Sequence, residues 1–177
     1  MTAAIANERL RKRFAKWDLD GSGRLERSDF EKEAVQIVQA FGKNTDGAEA
    51  QSVQDALTGM FEYLAGEAGT TAGGSLSEDE FVRVTQKLIF EDGEEQFNRV
   101  LGPLVRSIVG LCDKNDDGKI DAAEFASWLT AVGVDRSQAA EAFVNVDTDA
   151  NGELTVDELL AAVRDFHFGR LDVELLG

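Results

Sequence analysis

Cysteine, proline and histidine are nearly missing from this 177-residue chain, with Cys112, Pro103 and His167 the single example of each. One cysteine rules out an internal disulfide and fits a reducing compartment. One proline leaves few fixed backbone breaks, so helix is the expected default. A single histidine excludes a histidine dyad, and no nucleophile–base pair is apparent, so the chain is not read as an enzyme. Methionine is scarce too, at Met1 and Met60 only. Basic residues number 18 against 34 acidic ones, a formal charge of −16. That balance argues against nucleic acid, which needs a basic face, and against docking on an anionic membrane. No apolar run approaches the length of a membrane span. The start, MTAAIANERLRKRF, lacks the apolar stretch of a signal peptide, and Thr2 excludes N-myristoylation. A cytoplasmic protein is expected.

What is present is a repeat. Apolar residues make up 43% of the chain, enough for a core in one sizeable domain or two small ones packed together. Three twelve-residue segments share one design: DLDGSGRLERSD from Asp18 to Asp29, DKNDDGKIDAAE from Asp113 to Glu124, and DTDANGELTVDE from Asp147 to Glu158. Each has oxygen-bearing residues at positions 1, 3 and 5, glycine at 6, an aliphatic at 8 and a carboxylate at 12. Calcium is a hard cation that takes about six to eight oxygens. Alternate residues of a tight loop can point at one ion, and glycine makes the sharp turn at position 6 without a Cβ clash. Position 7 offers only its backbone carbonyl, which leaves the side chains of Arg24, Lys119 and Glu153 free. Position 9 acts through a water, a role open to Glu26, Asp121 and Thr155. These are the features of EF-hand loops.

The flanking segments show the apolar steps of three and four that amphipathic helices need. Val105, Ile108, Val109 and Cys112 precede the third hand, and Phe125, Trp128, Leu129 and Val132 follow it. Ala139, Ala142, Phe143 and Val146 enter the fourth, and Leu159, Ala162, Val163 and Phe166 leave it. The first hand has Leu10, Phe14 and Trp17 before its loop and Phe30, Ala34 and Ile37 after it, with Arg13 and Glu33 interrupting the stripe. Its partner is found by counting back from Glu80, which gives GTTAGGSLSEDE. Gly74 and Leu76 keep positions 6 and 8, but positions 1, 3 and 5 are Gly69, Thr71 and Gly73. One carboxylate cannot offset the dehydration of a divalent ion, so this loop is expected to hold none. Leu25 facing Leu76, and Ile120 facing Leu154, would form short β bridges inside each pair. The expected architecture is all-α, with four EF-hands in two pairs, residues 1–92 and 93–177, packed into one globule. Ile89, Phe90, Phe97, Val100, Leu101 and Leu104 between the pairs are apolar groups worth burying, unlike a solvated tether. Gly102-Pro103 reads as a break before the helix entering the third hand.

The paired hands, the lapsed second loop and the long spacer resemble the sarcoplasmic calcium-binding proteins over the whole chain. FNRVLGP from Phe97 to Pro103 and the ending DFHFGRLDVELLG resemble a bacterial branch of that family. The resemblance implies a compact globule that binds calcium in the cytosol, with some sites open to magnesium. Carried over by position, it implies three ligand sets: Asp18, Asp20, Ser22, the Arg24 carbonyl and Asp29; Asp113, Asn115, Asp117, the Lys119 carbonyl and Glu124; and Asp147, Asp149, Asn151, the Glu153 carbonyl and Glu158. Asp29 is one methylene shorter than the usual glutamate, so the first site is expected to be weaker for calcium or shared with magnesium. An intracellular calcium buffer or transporter is the leading expectation, because sensors expose Met-rich grooves whereas this chain has 11 Phe and two Trp. The alternative is a sensor that exposes apolar surface to a protein partner, which the sequence does not name. A monomer is expected. His167 and Cys112 read as packing groups. Leu171, Val173, Leu175 and Leu176 read as a tail folded over the chain's own core rather than a strip for a partner.

Overall fold

The loops dictate where helices start and stop. In the position-9 to position-12 segment of the fourth hand, Thr155 accepts from the Glu158 N–H and the Glu158 carboxylate accepts from the Thr155 N–H, a reciprocal cap. Asp29 does the same with Glu26, and Ser77 caps the helix of the second hand by accepting from Glu80 N–H at 3.2 Å. The residue placed to reach an ion therefore also starts the exit helix. In this computed structural model, which describes residues 2–70, 74–113, 117–131 and 134–171, the elements follow the repeat. They run α1 (Thr2–Trp17), β1 (Arg24–Leu25), α2 (Arg27–Ala40), α3 (Ala48–Ala68), β2 (Leu76–Ser77), α4 (Glu78–Phe90), α5 (Glu94–Cys112), α6 (Ala122–Ala131), α7 (Arg136–Val146) and α8 (Val156–His167). Each hand is two successive helices around one loop. Among the described residues, no helix is long and apolar enough to cross a membrane.

Both expected bridges form. β1 pairs antiparallel with β2 in the register Leu25 to Leu76, and Ile120 pairs with Leu154 through bonds of 3.0 and 2.7 Å. All four aliphatics are fully buried. The expected apolar faces line one continuous core, with Ile37 half-buried and Val132 outside the described residues. Aromatic rings fill it. Trp17 lies 5.1 Å from Phe30 and 6.0 Å from Phe81, and Phe30 lies 5.3 Å from Phe61. In the second half Phe125 meets Trp128 and Phe143 at 6.3 and 5.8 Å. Arg13, one of the two residues that broke the first stripe, is buried with its guanidinium 5.2 Å from the Trp17 ring. Burial raises the carboxyl of the other, Glu33, and the Arg13 and Lys16 charges oppose that rise.

One expectation is overturned. Gly102-Pro103 does not interrupt the chain: α5 runs continuously through it. Proline forfeits one backbone bond, but Phe97, Leu101, Leu104 and Val105 on either side are buried, and that burial outweighs the loss. The spacer and the entering helix of the third hand are thus one rod, packed on α3 and α8.

The first and last helices are tied. Arg9 donates to the carbonyls of Phe166 and Leu171, and its guanidinium sits 4.0 Å over the Phe166 ring. Gly169 turns the chain at φ +79, where a Cβ would stand 2.9 Å from Ile5 Cδ1. Phe90 crosses to Phe168 at 5.0 Å. Leu171 is buried, His167 packs with Nδ1 2.9 Å from the Val163 carbonyl, and Val173, Leu175 and Leu176 lie outside the described residues.

Candidate metal centres

Three loops repeat one hydrogen-bond scheme. At position 1, Asp18 accepts from Gly23 N–H at 2.8 Å and Ser22 N–H at 3.1 Å. Asp113 accepts from Gly118 N–H at 2.7 Å and Asp117 N–H at 3.3 Å. Asp147 accepts from Gly152 N–H at 2.9 Å and Asn151 N–H at 3.3 Å. The glycines at position 6 make this possible with φ of +80, +74 and +83, the left-handed turn that a side chain resists. At position 12, one carboxylate oxygen of Asp29, Glu124 and Glu158 accepts from the position-9 N–H at 2.9, 3.0 and 3.1 Å. Each carboxylate is thereby anchored by some of its lone pairs while the loop curls round it.

The carboxylates converge. Asp18, Asp20 and Asp29 bring oxygens within 4.8 Å of one another, and so do Asp147, Asp149 and Glu158. Ser22 Oγ lies 2.9 Å from the Arg24 carbonyl, so two further oxygens of the first loop are adjacent. In the fourth loop Asn151 Oδ1 accepts from Glu153 N–H at 2.9 Å, and its amide donates to Asp149 at 3.0 Å. In the third loop Asp117 and Lys119 are exposed, Glu124 is buried, and Asn115 lies outside the described residues. In the second, Thr71 and Gly73 lie outside them as well.

Asp29 is the most informative of these groups. It is fully buried, and its Oδ1 has no hydrogen-bond partner. Burial raises its carboxyl above the ordinary value, and the Asp20 and Asp18 charges add to the rise against the bond from Glu26 N–H. Asp20 moves the other way, held down by the Ser22 N–H and hydroxyl. A buried, unpartnered, negatively charged oxygen beside two more carboxylates is costly unless a cation joins them. The donors are all hard oxygens, which suits calcium or magnesium and not a thiolate-seeking metal. The residues fit such an ion.

Sequence reading missed position 4. Gly21 and Ala150 occupy it with φ of +66 and +55. The left-handed backbone is free at glycine and strained at alanine. The turn-forming composition of the loops was the signal, but alanine in the fourth loop hides it.

Residues 108–164 match the model of the EF-hand domain pair. The chain is 63% identical to calerythrin of Saccharopolyspora erythraea, with the whole of both chains aligned. A Streptomyces coelicolor calcium-binding protein, described in terms of prokaryotic calcium-mediated regulation, superposes with a TM-score of 0.71 at 26% identity, covering 92% of this chain and 98% of that one. The calcium-loaded apo form of the coelenterazine-binding protein of Renilla muelleri superposes with a TM-score of 0.61 at 27% identity, covering 99% and 93%.

Proposed function

We propose, since this chain belongs to the calerythrin family of EF-hand calcium-binding proteins, that it buffers or carries calcium through three loops. The observation that supports this reading is the recurrence, in three loops, of one carboxylate anchored by the position-5 and position-6 amides and a second anchored by the position-9 amide. The first ion would take Asp18, Asp20, Ser22, the Arg24 carbonyl and Asp29. The next would take Asp113, Asn115, Asp117, the Lys119 carbonyl and Glu124. The last would take Asp147, Asp149, Asn151, the Glu153 carbonyl and Glu158. Asp29, one methylene shorter than Glu124 and Glu158, leaves the first site the lower ligand number and makes it the one to share with magnesium.

The binding mechanism is electrostatic. Each loop crowds carboxylates that repel one another, and a divalent ion replaces that repulsion with attraction while locking loop to helix. A shape that changes little after loading suits a buffer. The aromatic core, the Arg9 tie from the first hand to the last and the Phe90 contact from the second hand to the last support that rigidity. A second reading, a sensor, is favoured by a groove of about 810 Å³ whose apolar lining includes Val134, Val146, Ala161, Ala162 and Leu171, which a partner segment would enter.

Native mass spectrometry and calorimetry in calcium, with and without magnesium, test the proposal. Three bound ions are expected, with Glu158→Gln losing one, and with magnesium displacing only the first-loop signal. A chain carrying the same mass in calcium and in chelator would refute it. A large calcium-induced rise in apolar dye binding would move the assignment to a sensor.

A further inference from the structure

We propose that Arg24 supplies a built-in cation to the second hand, taking the place that a metal ion holds in the others. The loop of that hand keeps the carbonyl at position 7, Ser75, and, as its one carboxylate at a ligand position, Glu80 at position 12. Both are met by the same guanidinium. Arg24 Nη2 lies 3.1 Å from the Ser75 carbonyl and 3.9 Å from Glu80 Oε1, while Nε donates to the Ser75 hydroxyl. One nitrogen of Arg24, Nη2, thus lies between the two oxygens that a divalent ion would otherwise have to draw together, hydrogen-bonded to the Ser75 carbonyl and ion-paired at longer range with Glu80.

The other pair provides an internal control. Its position-7 residues, Lys119 and Glu153, also face each other across the bridge, with Lys119 Nζ 3.6 Å from Glu153 Oε2. That ion pair joins side chain to side chain and leaves the position-7 carbonyls to the ions. In the first pair the position-7 side chain of one loop instead enters the ligand positions of its neighbour. The register Leu25 to Leu76, with Arg24 opposite Ser77, puts it within reach.

Arg24 then has two roles. Its own carbonyl belongs to the first metal set, and its guanidinium braces the second loop, so the brace and the first ion act on one residue across one β ladder. The second hand stays shaped without calcium, and the first hand always docks on a formed partner. This rests on the first loop being a cation site, and the test separates the two.

Arg24→Ala, Glu80→Gln and the double variant are compared with the unaltered protein. Two readouts are used: calorimetric calcium affinity of the first site, and amide exchange at Leu76 in chelator. Because the pair is half-exposed, each single change is expected to weaken the first site and speed Leu76 exchange by about two- to five-fold. The double variant should show no more than either single one, and Arg24→Lys should restore part of the loss. The third and fourth sites should not change. Unaltered Leu76 exchange in Arg24→Ala, or additive losses in the double variant, would overturn the proposal. If the unaltered protein bound no ion at the first loop, the buffer reading with three sites would fall, while the Leu76 arm would still decide the role of Arg24.

Discussion

Replacing Asp29 by asparagine should move stability in opposite directions with and without calcium. The side chain is fully buried, its Oδ2 accepts from Glu26 N–H at 2.9 Å, and its Oδ1 has no donor. Asparagine keeps the bond to Glu26 through its carbonyl and offers an amide to Asp18 and Asp20, whose oxygens lie within 4.8 Å. Relieving an unsatisfied buried oxygen is worth roughly 1–3 kcal/mol. The Asp18 and Asp20 charges act in the same direction but Asp20 is exposed and screened by solvent, so about 2 kcal/mol, the middle of that range, is expected. For a chain of this length that raises the melting temperature in chelator by about 4–8 °C. In calcium the sign reverses, because the first ion loses an ionic ligand and its affinity is expected to fall by more than about thirtyfold, a loss larger than about 2 kcal/mol. The pH dependence follows from the raised carboxyl of Asp29 in the ion-free fold. A carboxyl whose folded value exceeds its unfolded one lowers stability above the folded value. The penalty fades as pH falls through the folded value toward the ordinary value near 3.8, and it is gone only below that, where the carboxyl is protonated in both states. The advantage of Asp29→Asn in chelator should therefore shrink with acidification. Scanning calorimetry in chelator and in calcium, from neutral pH to pH about 4, reads all three effects. An ion-free variant that melted below the unaltered protein would refute the reasoning.

Ala150→Gly should stabilise the calcium-free protein by about 1 kcal/mol, since it relieves a left-handed alanine without removing a ligand; a denaturant titration showing lower stability would refute this. Cys112 is buried at the end of α5, and burial together with the nearby Glu124 and Asp113 charges pushes its thiol up to about 12. Its labelling by a thiol reagent at neutral pH should track unfolding, slow in calcium and fast in chelator with denaturant; prompt labelling of the calcium-loaded protein would contradict that placement.

Much of this molecule is local in origin, and that is why the chain could be read. An EF-hand loop is twelve consecutive residues, and its candidate ligands, its turn at Gly23, Gly118 or Gly152 and its cap at position 12 are all set by spacing along the chain. The β partners Leu25 with Leu76 and Ile120 with Leu154 followed from the same count, because each is the eighth residue of its loop. Proline at position 103 misled for the complementary reason. Its preference is local, and the decision to continue α5 was tertiary, made by Phe97, Leu101, Leu104 and Val105 sinking into a core shared with α3 and α8.

Arg24 carries the same lesson further. Its position in the loop leaves its side chain without a local task, since only the carbonyl there faces an ion. Nothing in DLDGSGRLERSD says where a guanidinium on a long flexible stem will settle. That depends on a ladder that brings Ser75 and Glu80, more than fifty residues away, to within 3.1 and 3.9 Å of it. A loop that has lost its ionic ligands at positions 1, 3 and 5 still presents two oxygens, and the cheapest cation available to them is one already attached to the chain. A free ion must be stripped of water and held by several ligands at once, whereas the guanidinium arrives with its charge delocalised and its translational freedom already spent in forming the ladder. The degenerate hand can therefore lose its metal and keep its shape, which is what pairing with the first hand demands of it.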